Sequence, residues 1–85
     1  MKFLHFEIDA SGDETIFVSL DNQANVRLMD TNNFYNYKNG RRYQFIGGRA
    51  VRSPCALRAP HAGQWHVVVD LGGYSGRVNA SVRVA

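Results

Sequence analysis

Between Phe34 and Arg58 the chain carries Lys38, Arg41, Arg42, Arg49, Arg52 and Arg58 with no acidic residue among them. Phe34, Tyr35, Tyr37, Tyr43 and Phe45 are interleaved with these bases. A guanidinium is a planar fork that matches a carboxylate or a phosphate with two parallel hydrogen bonds, and tyrosine supplies rigid contact area with a polar tip. The residues expected to carry contacts to a partner are therefore Asn33, Tyr35, Tyr37, Lys38, Arg41, Arg42, Arg49 and Arg52. Two quieter arrangements fit the same run. The aromatics could pack beneath a loop as a satellite cluster with the arginines solvated around it. The acidic start of the chain could also neutralise the basic segment within the fold.

Other chemistry is thinner. His5, His61, His66 and Cys55 match no compact zinc spacing, which usually pairs ligands two to five residues apart, so no metal site is expected and the histidines read as loop and surface residues. Cys55 shares strand parity with Leu57 and reads as a small core residue. Asp21, Asn22, Asn25, Asp30, Asn32 and Asn33 are rich in oxygen, but they lack the spacing of a calcium loop and are good turn formers. Asp70 is the single acid after Asp30. It could serve a small enzyme, although a structural ion pair or a cap on the Leu71-Gly72-Gly73 turn is the commoner use. No serine lies in a nucleophile elbow and no glycine loop leads into a helix, so no catalytic residue and no cofactor is expected.

Eighty-five residues make one domain, residues 1–85, with a thin core and little room for an elaborate cleft. Net charge is +3, distributed unevenly: residues 1–30 sum to −4 and residues 31–85 to +7. One cysteine excludes an intramolecular disulfide, and Met1–Asp9 lacks the apolar run of a signal peptide or membrane anchor. The expected setting is the cytoplasm, away from a membrane.

The elements that must hold these residues are strands. Leu4, Phe6 and Ile8 alternate with His5 and Glu7. Ile16, Val18 and Leu20 repeat the pattern, as do Ala24, Val26 and Leu28. Trp65, Val67, Val69 and Leu71 alternate with His66, Val68 and Asp70, and Val78, Ala80, Val82 and Val84 with Arg77, Asn79, Ser81 and Arg83. A period of two places one set on the core and the other on the opposite face. The fold class is all-β: a small antiparallel β-sandwich, jelly-roll-like, or a flattened barrel of six to eight strands. Its core is expected to be Leu4, Phe6, Ile8, Ile16, Val18, Leu20, Val26, Leu28, Trp65, Val67, Val69, Val78, Val82 and Val84. A weaker strand is expected over about Arg49–Leu57, interrupted by Pro54. No helical period persists for three turns, so Asp30–Gly48 reads as a long loop entering a strand near Arg42–Ile46, with Asn39-Gly40 as a hairpin turn. Arg27, Arg77, Arg83 and Phe17 fall on off-core positions and could form one basic-apolar face compatible with a homodimer.

Ala24–Asp30 (ANVRLMD), Tyr37 with Gly40-Arg41-Arg42, Gly47-Gly48, Ser53-Pro54 and Trp65–Val84, including VVVDLGGY, resemble a small bacterial domain-of-unknown-function family. Some of its members are joined to TIR domains, which signal or cleave NAD. The resemblance implies a small all-β domain and brings no catalytic or binding residue with it. No TIR partner is expected within these 85 residues. Together the residues and the resemblance lead to a non-catalytic module that contacts an unknown protein or another anionic partner. Nucleic acid or another polyanion, sugars included, is the alternative, and an enzyme using Asp70 ranks behind both.

Overall fold

The structure, a computed structural model, describes residues 3–73 and 75–85. Met1, Lys2 and Tyr74, the last residue of the VVVDLGGY block, lie outside them. In chain order the elements are β1 (Leu4–Ala10), β2 (Thr15–Leu20), β3 (Ala24–Asp30), α1 (Thr31–Lys38), β4 (Ile46–Ala50), β5 (Cys55–Arg58), β6 (Gly63–Asp70) and β7 (Ala80–Val84). Two antiparallel sheets result, ordered β1-β6-β3-β4 and β5-β2-β7. The all-β class and the strand number agree with the period-two pattern, and the sheets stay open as a sandwich rather than closing into a barrel.

Between the sheets lies one core, with Ile16, Val18 and Leu57 on one side and Val26, Leu28, Trp65, Val67 and Val69 on the other. Phe6, Ile8, Leu20, Val78, Val82 and Val84 line its margins, and Leu4, on the edge strand β1, is left 36% exposed. On β4, Gly47 has φ +117°, and a Cβ there would run into the Val26 carbonyl, so only glycine lets the strand approach so closely. No helix among the described residues is long and apolar enough to cross a membrane.

Asp30–Gly48 is not a long loop. Asp30 ends β3 and caps α1, its side chain accepting from the Asn33 amide at 2.8 Å. Phe34 and Tyr37, three residues apart, are buried on one side of the helix. Asn39-Gly40 closes the helix rather than a hairpin. The Gly40 amide donates to the Tyr37 carbonyl at 3.3 Å and the Arg41 amide to the Asn36 carbonyl at 2.8 Å, with Gly40 at φ +70°. That paired pattern on a left-handed glycine is a Schellman stop. Two turns are too few for a period sustained over three turns to register. The strand expected near Arg42 begins instead at Ile46, and the expected Arg49–Leu57 strand is two strands, β4 and β5, in different sheets.

The helix makes a third layer. It covers the outer face of the four-stranded sheet with Phe34 and Tyr37 packed on Met29 and Val68, and Phe3 and Tyr43 at the border. β6 is thus covered on both faces and is buried from Trp65 through Asp70. The four off-core residues do not share a face. Arg27 lies beneath the Tyr37 and Phe45 rings, whereas Arg83 stacks 4.6 Å from Phe17 on the outer face of the three-stranded sheet. Arg77 precedes β7.

Candidate functional site

The covered face holds a polar knot on Asp70, which is 2% exposed. Its Oδ1 accepts from Asn25 Nδ2 at 3.1 Å and from the Gly72 amide at 2.8 Å. Its Oδ2 accepts from the Tyr37 hydroxyl at 2.8 Å and forms an ion pair with Arg27 Nη1. The strands supply the register: Asn25 pairs with Asp70 across β3 and β6, and Arg27 with Val68. The helix supplies Tyr37. Asp70 is therefore both the ion pair and the turn cap its position suggests. Burial opposes its ionisation, but the hydrogen bonds and the Arg27 charge prevail, and its carboxyl titrates below the ordinary value. Burial, then the hydrogen bond to Asp70, pushes the Tyr37 hydroxyl well above its ordinary value.

The four candidate arginines gather at this end of the molecule. Arg49 stands opposite Asn25 on β4 and donates to Gln23 Oε1 at 2.9 Å. Tyr37 in the last turn of α1 reaches Asp70, while Thr31 in the first turn reaches His66, so Arg41 and Arg42 leave the helix at the Asp70 end. Arg52 follows β4 and lines a shallow cleft of about 250 Å³ with Leu20, Asp21, Asn22, Gln23 and Ser53. Arg49 lines a neighbouring cleft of about 210 Å³ with Asn22, Gln23, Asn25, Leu71 and Ser75. Among the described residues the one ion pair is Arg27–Asp70. The acidic first third therefore leaves Arg41, Arg42, Arg49 and Arg52 without a carboxylate partner, and all four are exposed.

A family model matches the chain across residues 1–85, and its description is a domain of unknown function, DUF1883. The chain belongs to the DUF1883 family. Comparison with curated proteins and with solved structures found no match.

In this DUF1883 chain the residues expected from sequence fall into two groups. Tyr35 is 53% exposed, Lys38 lies 5.0 Å from both the Phe34 and Tyr35 ring centroids, and the four arginines face solvent. Tyr37 is instead a buried strut of the Asp70 knot. Asn33 braces the helix start, its side chain donating to Asp30 and accepting from the Gln44 amide at 2.8 Å. Of the histidines, His5 and His61 are exposed as expected and His66 departs from expectation. His66 is 2% exposed beneath Phe34, and its Nδ1 meets His5 Nε2 at 2.8 Å. Burial lowers the pKa of both imidazoles from the ordinary value. Parity placed His5 and His66 on off-core positions, but no sequence signal showed that β1 and β6 are neighbours or that a helix covers them. Asp21 and Asp30 are turn and cap residues, as their types suggest, Asp21 accepting from Asn79 at 2.7 Å.

The knot sets a two-sided pH dependence. The folded Asp70 pKa is below the unfolded value of 3.8, so its contribution is complete above that value and is lost as pH falls through the folded pKa. The folded Tyr37 pKa is above the unfolded value of 10.0, so the native state keeps its proton longer and stability falls as pH rises above 10.0. Urea unfolding across the pH range is expected to show both losses. Tyr37→Phe should flatten the alkaline limb and, because the Tyr37 hydroxyl is one of the donors that hold the Asp70 carboxyl down, only reduce the acidic one. An alkaline limb unchanged in Tyr37→Phe would assign it to other groups.

Proposed function

We propose that this DUF1883 domain is a non-catalytic interaction module that grips an acidic segment of a partner protein through Arg41, Arg42, Arg49 and Arg52. The observation that carries the reading is four exposed arginines with no acid paired to them among the described residues, Arg49 and Arg52 each lining a shallow cleft and Arg41 and Arg42 following the helix end that reaches Asp70. Each cleft is smaller than the roughly 300 Å³ from which small-molecule pockets start, and suits a single carboxylate or phosphate rather than a larger ligand. Asn22, Gln23 and Asn25 add amide groups beside the guanidinium forks. A partner protein is favoured over nucleic acid because Phe34 and Tyr37 are consumed by packing and Tyr43 is half-buried, which leaves only Tyr35 and Phe45 of the segment's five rings exposed for stacking on bases. Non-catalytic is favoured because Asp70, the acid best placed for chemistry, is buried with both oxygens already engaged. The resemblance to TIR-joined proteins adds a signalling or defence setting to this proposal, with the cytoplasm as its compartment.

The test pairs binding with folding. A labelled polyglutamate peptide and a labelled single-stranded oligonucleotide are titrated at about 50 and about 200 mM salt. Polyglutamate is expected to bind at low salt and to weaken as salt rises. Exposed ion pairs are worth roughly 0.2–1 kcal/mol each, so Arg41→Ala with Arg42→Ala should weaken binding about tenfold. Surface substitutions usually shift stability by less than about 0.5 kcal/mol, so the melting temperature should hold. A large melting loss would make those arginines structural, and tighter capture of the oligonucleotide would replace the acidic protein with a nucleic acid.

A further inference from the structure

His5, Glu7 and His66 stand on the helix-covered side of β1 and β6, at the edge of the four-stranded sheet. Glu7 pairs directly with His66, and His5 is two residues back on the same face. Two imidazole nitrogens and one carboxylate oxygen from this trio lie within 4.8 Å of one another. We propose that His5, Glu7 and His66 bind a divalent transition-metal ion of the zinc type, with solvent completing its coordination. This site is independent of the arginine end.

The donor set suits the ion: imidazole nitrogen is a preferred ligand of zinc, copper and nickel, and two histidines with one carboxylate leave a tetrahedral ion one open position. The hydrogen bonds already orient the buried ligand. The Thr31 hydroxyl donates to Gln64 Oε1 at 3.4 Å, an atom that can only accept. In the tautomer that carries the proton on Nε2, His66 donates to the Thr31 oxygen at 2.9 Å. That assignment puts the free lone pair of His66 on Nδ1, which points at His5 Nε2. A second hydrogen bond of this kind is what holds a metal-ligating histidine in tautomer and orientation.

Stacking fixes the ring planes. Phe34 lies 4.0 Å from the His5 ring and 4.6 Å from the His66 ring, nearly parallel to both. A metal bonds in the imidazole plane, so Phe34 covers the faces and leaves the nitrogen edges open. The separation also fits. Tetrahedral bonds of about 2.0–2.1 Å place two nitrogens about 3.3 Å apart. The 2.8 Å observed needs a small opening, which His5, exposed on an edge strand, supplies by turning its side chain.

The experiment uses the untagged full chain titrated with Zn²⁺ by calorimetry, and with Co²⁺ read by its visible absorption. One ion per chain is expected. His5→Ala and Glu7→Gln, both exposed positions, should each weaken zinc by at least about a hundredfold while the chain stays folded. Thr31→Val, which removes the group orienting His66, should weaken it about 10–100-fold. His61→Ala, outside the trio, should change nothing. Failure of the parent chain to bind zinc overturns the site. So does binding that survives both His5→Ala and Glu7→Gln, or binding that is lost in His61→Ala.

Discussion

Asp70→Ala is expected to cost about 3–5 kcal/mol, the range for removing one partner of a buried, hydrogen-bonded charge pair. Four donors converge on that carboxylate: Asn25, Arg27, Tyr37 and the Gly72 amide. Truncation leaves each without an acceptor beneath the helix layer. Arg27 suffers most, because its Nε is already buried without a partner and its side chain is only 17% exposed. A protein of this size holds roughly 4–13 kcal/mol in total, so one substitution removes a large share. At about 4–8 °C per kcal/mol for a small domain, the melting temperature should fall by at least roughly 12 °C.

Asp70→Asn separates charge from shape. The amide keeps one acceptor for Asn25 and Gly72 but turns a donor toward Arg27 and Tyr37. Its loss should approach that of alanine, because an unpaired buried donor costs about 1–3 kcal/mol and one facing a charge costs more. Chemical denaturation of both variants at neutral pH is the measurement. A loss below about 1 kcal/mol for either would mean that water replaces the carboxylate and that the knot does not hold the layers together.

How far this arrangement is legible in sequence depends on which face of the strands is considered. The core face is legible, because Ile16, Val18, Val26, Leu28, Val67 and Val69 alternate with polar or flanking residues and are all buried. The opposite face of the larger sheet is not. A period-two reading assigns His66, Val68 and Asp70 to solvent, yet a strand covered on both sides is apolar on both. Val68 and Met29, apolar at off-core positions, are the residues that carry that signal. The helix was hidden by its length and by its composition, since Asn and Tyr are poor helix formers and two buried positions define its face. The exposed arginines were legible as a group because charge survives any fold. Tyr37 was not, because its partner Asp70 lies 33 residues away on a strand whose neighbours only the fold decides.

Phe34→Ala should cost about 3–5 kcal/mol, the usual range for emptying a buried phenylalanine site. It tests whether the helix is a structural layer or a decoration on a self-sufficient sandwich. Phe34 is 4% exposed, packs with Met29, Tyr37 and Val68, and stacks on His5 and His66. An eight-residue helix is too short to persist alone, so its order depends on that packing. Without Phe34 the remaining apolar anchor is Tyr37, which the Asp70 hydrogen bond ties to the far end of the helix. The first turn should fray, and its amides should exchange with solvent faster than those of β6. Phe34→Leu is the control that separates burial from stacking. It keeps most of the apolar area and loses the ring, so it should cost only about 0.5–1.5 kcal/mol, the extra worth of aromatic geometry. An alanine loss under about 1 kcal/mol would mean that the two sheets stand without the helix, and that Val68 and Met29 tolerate water.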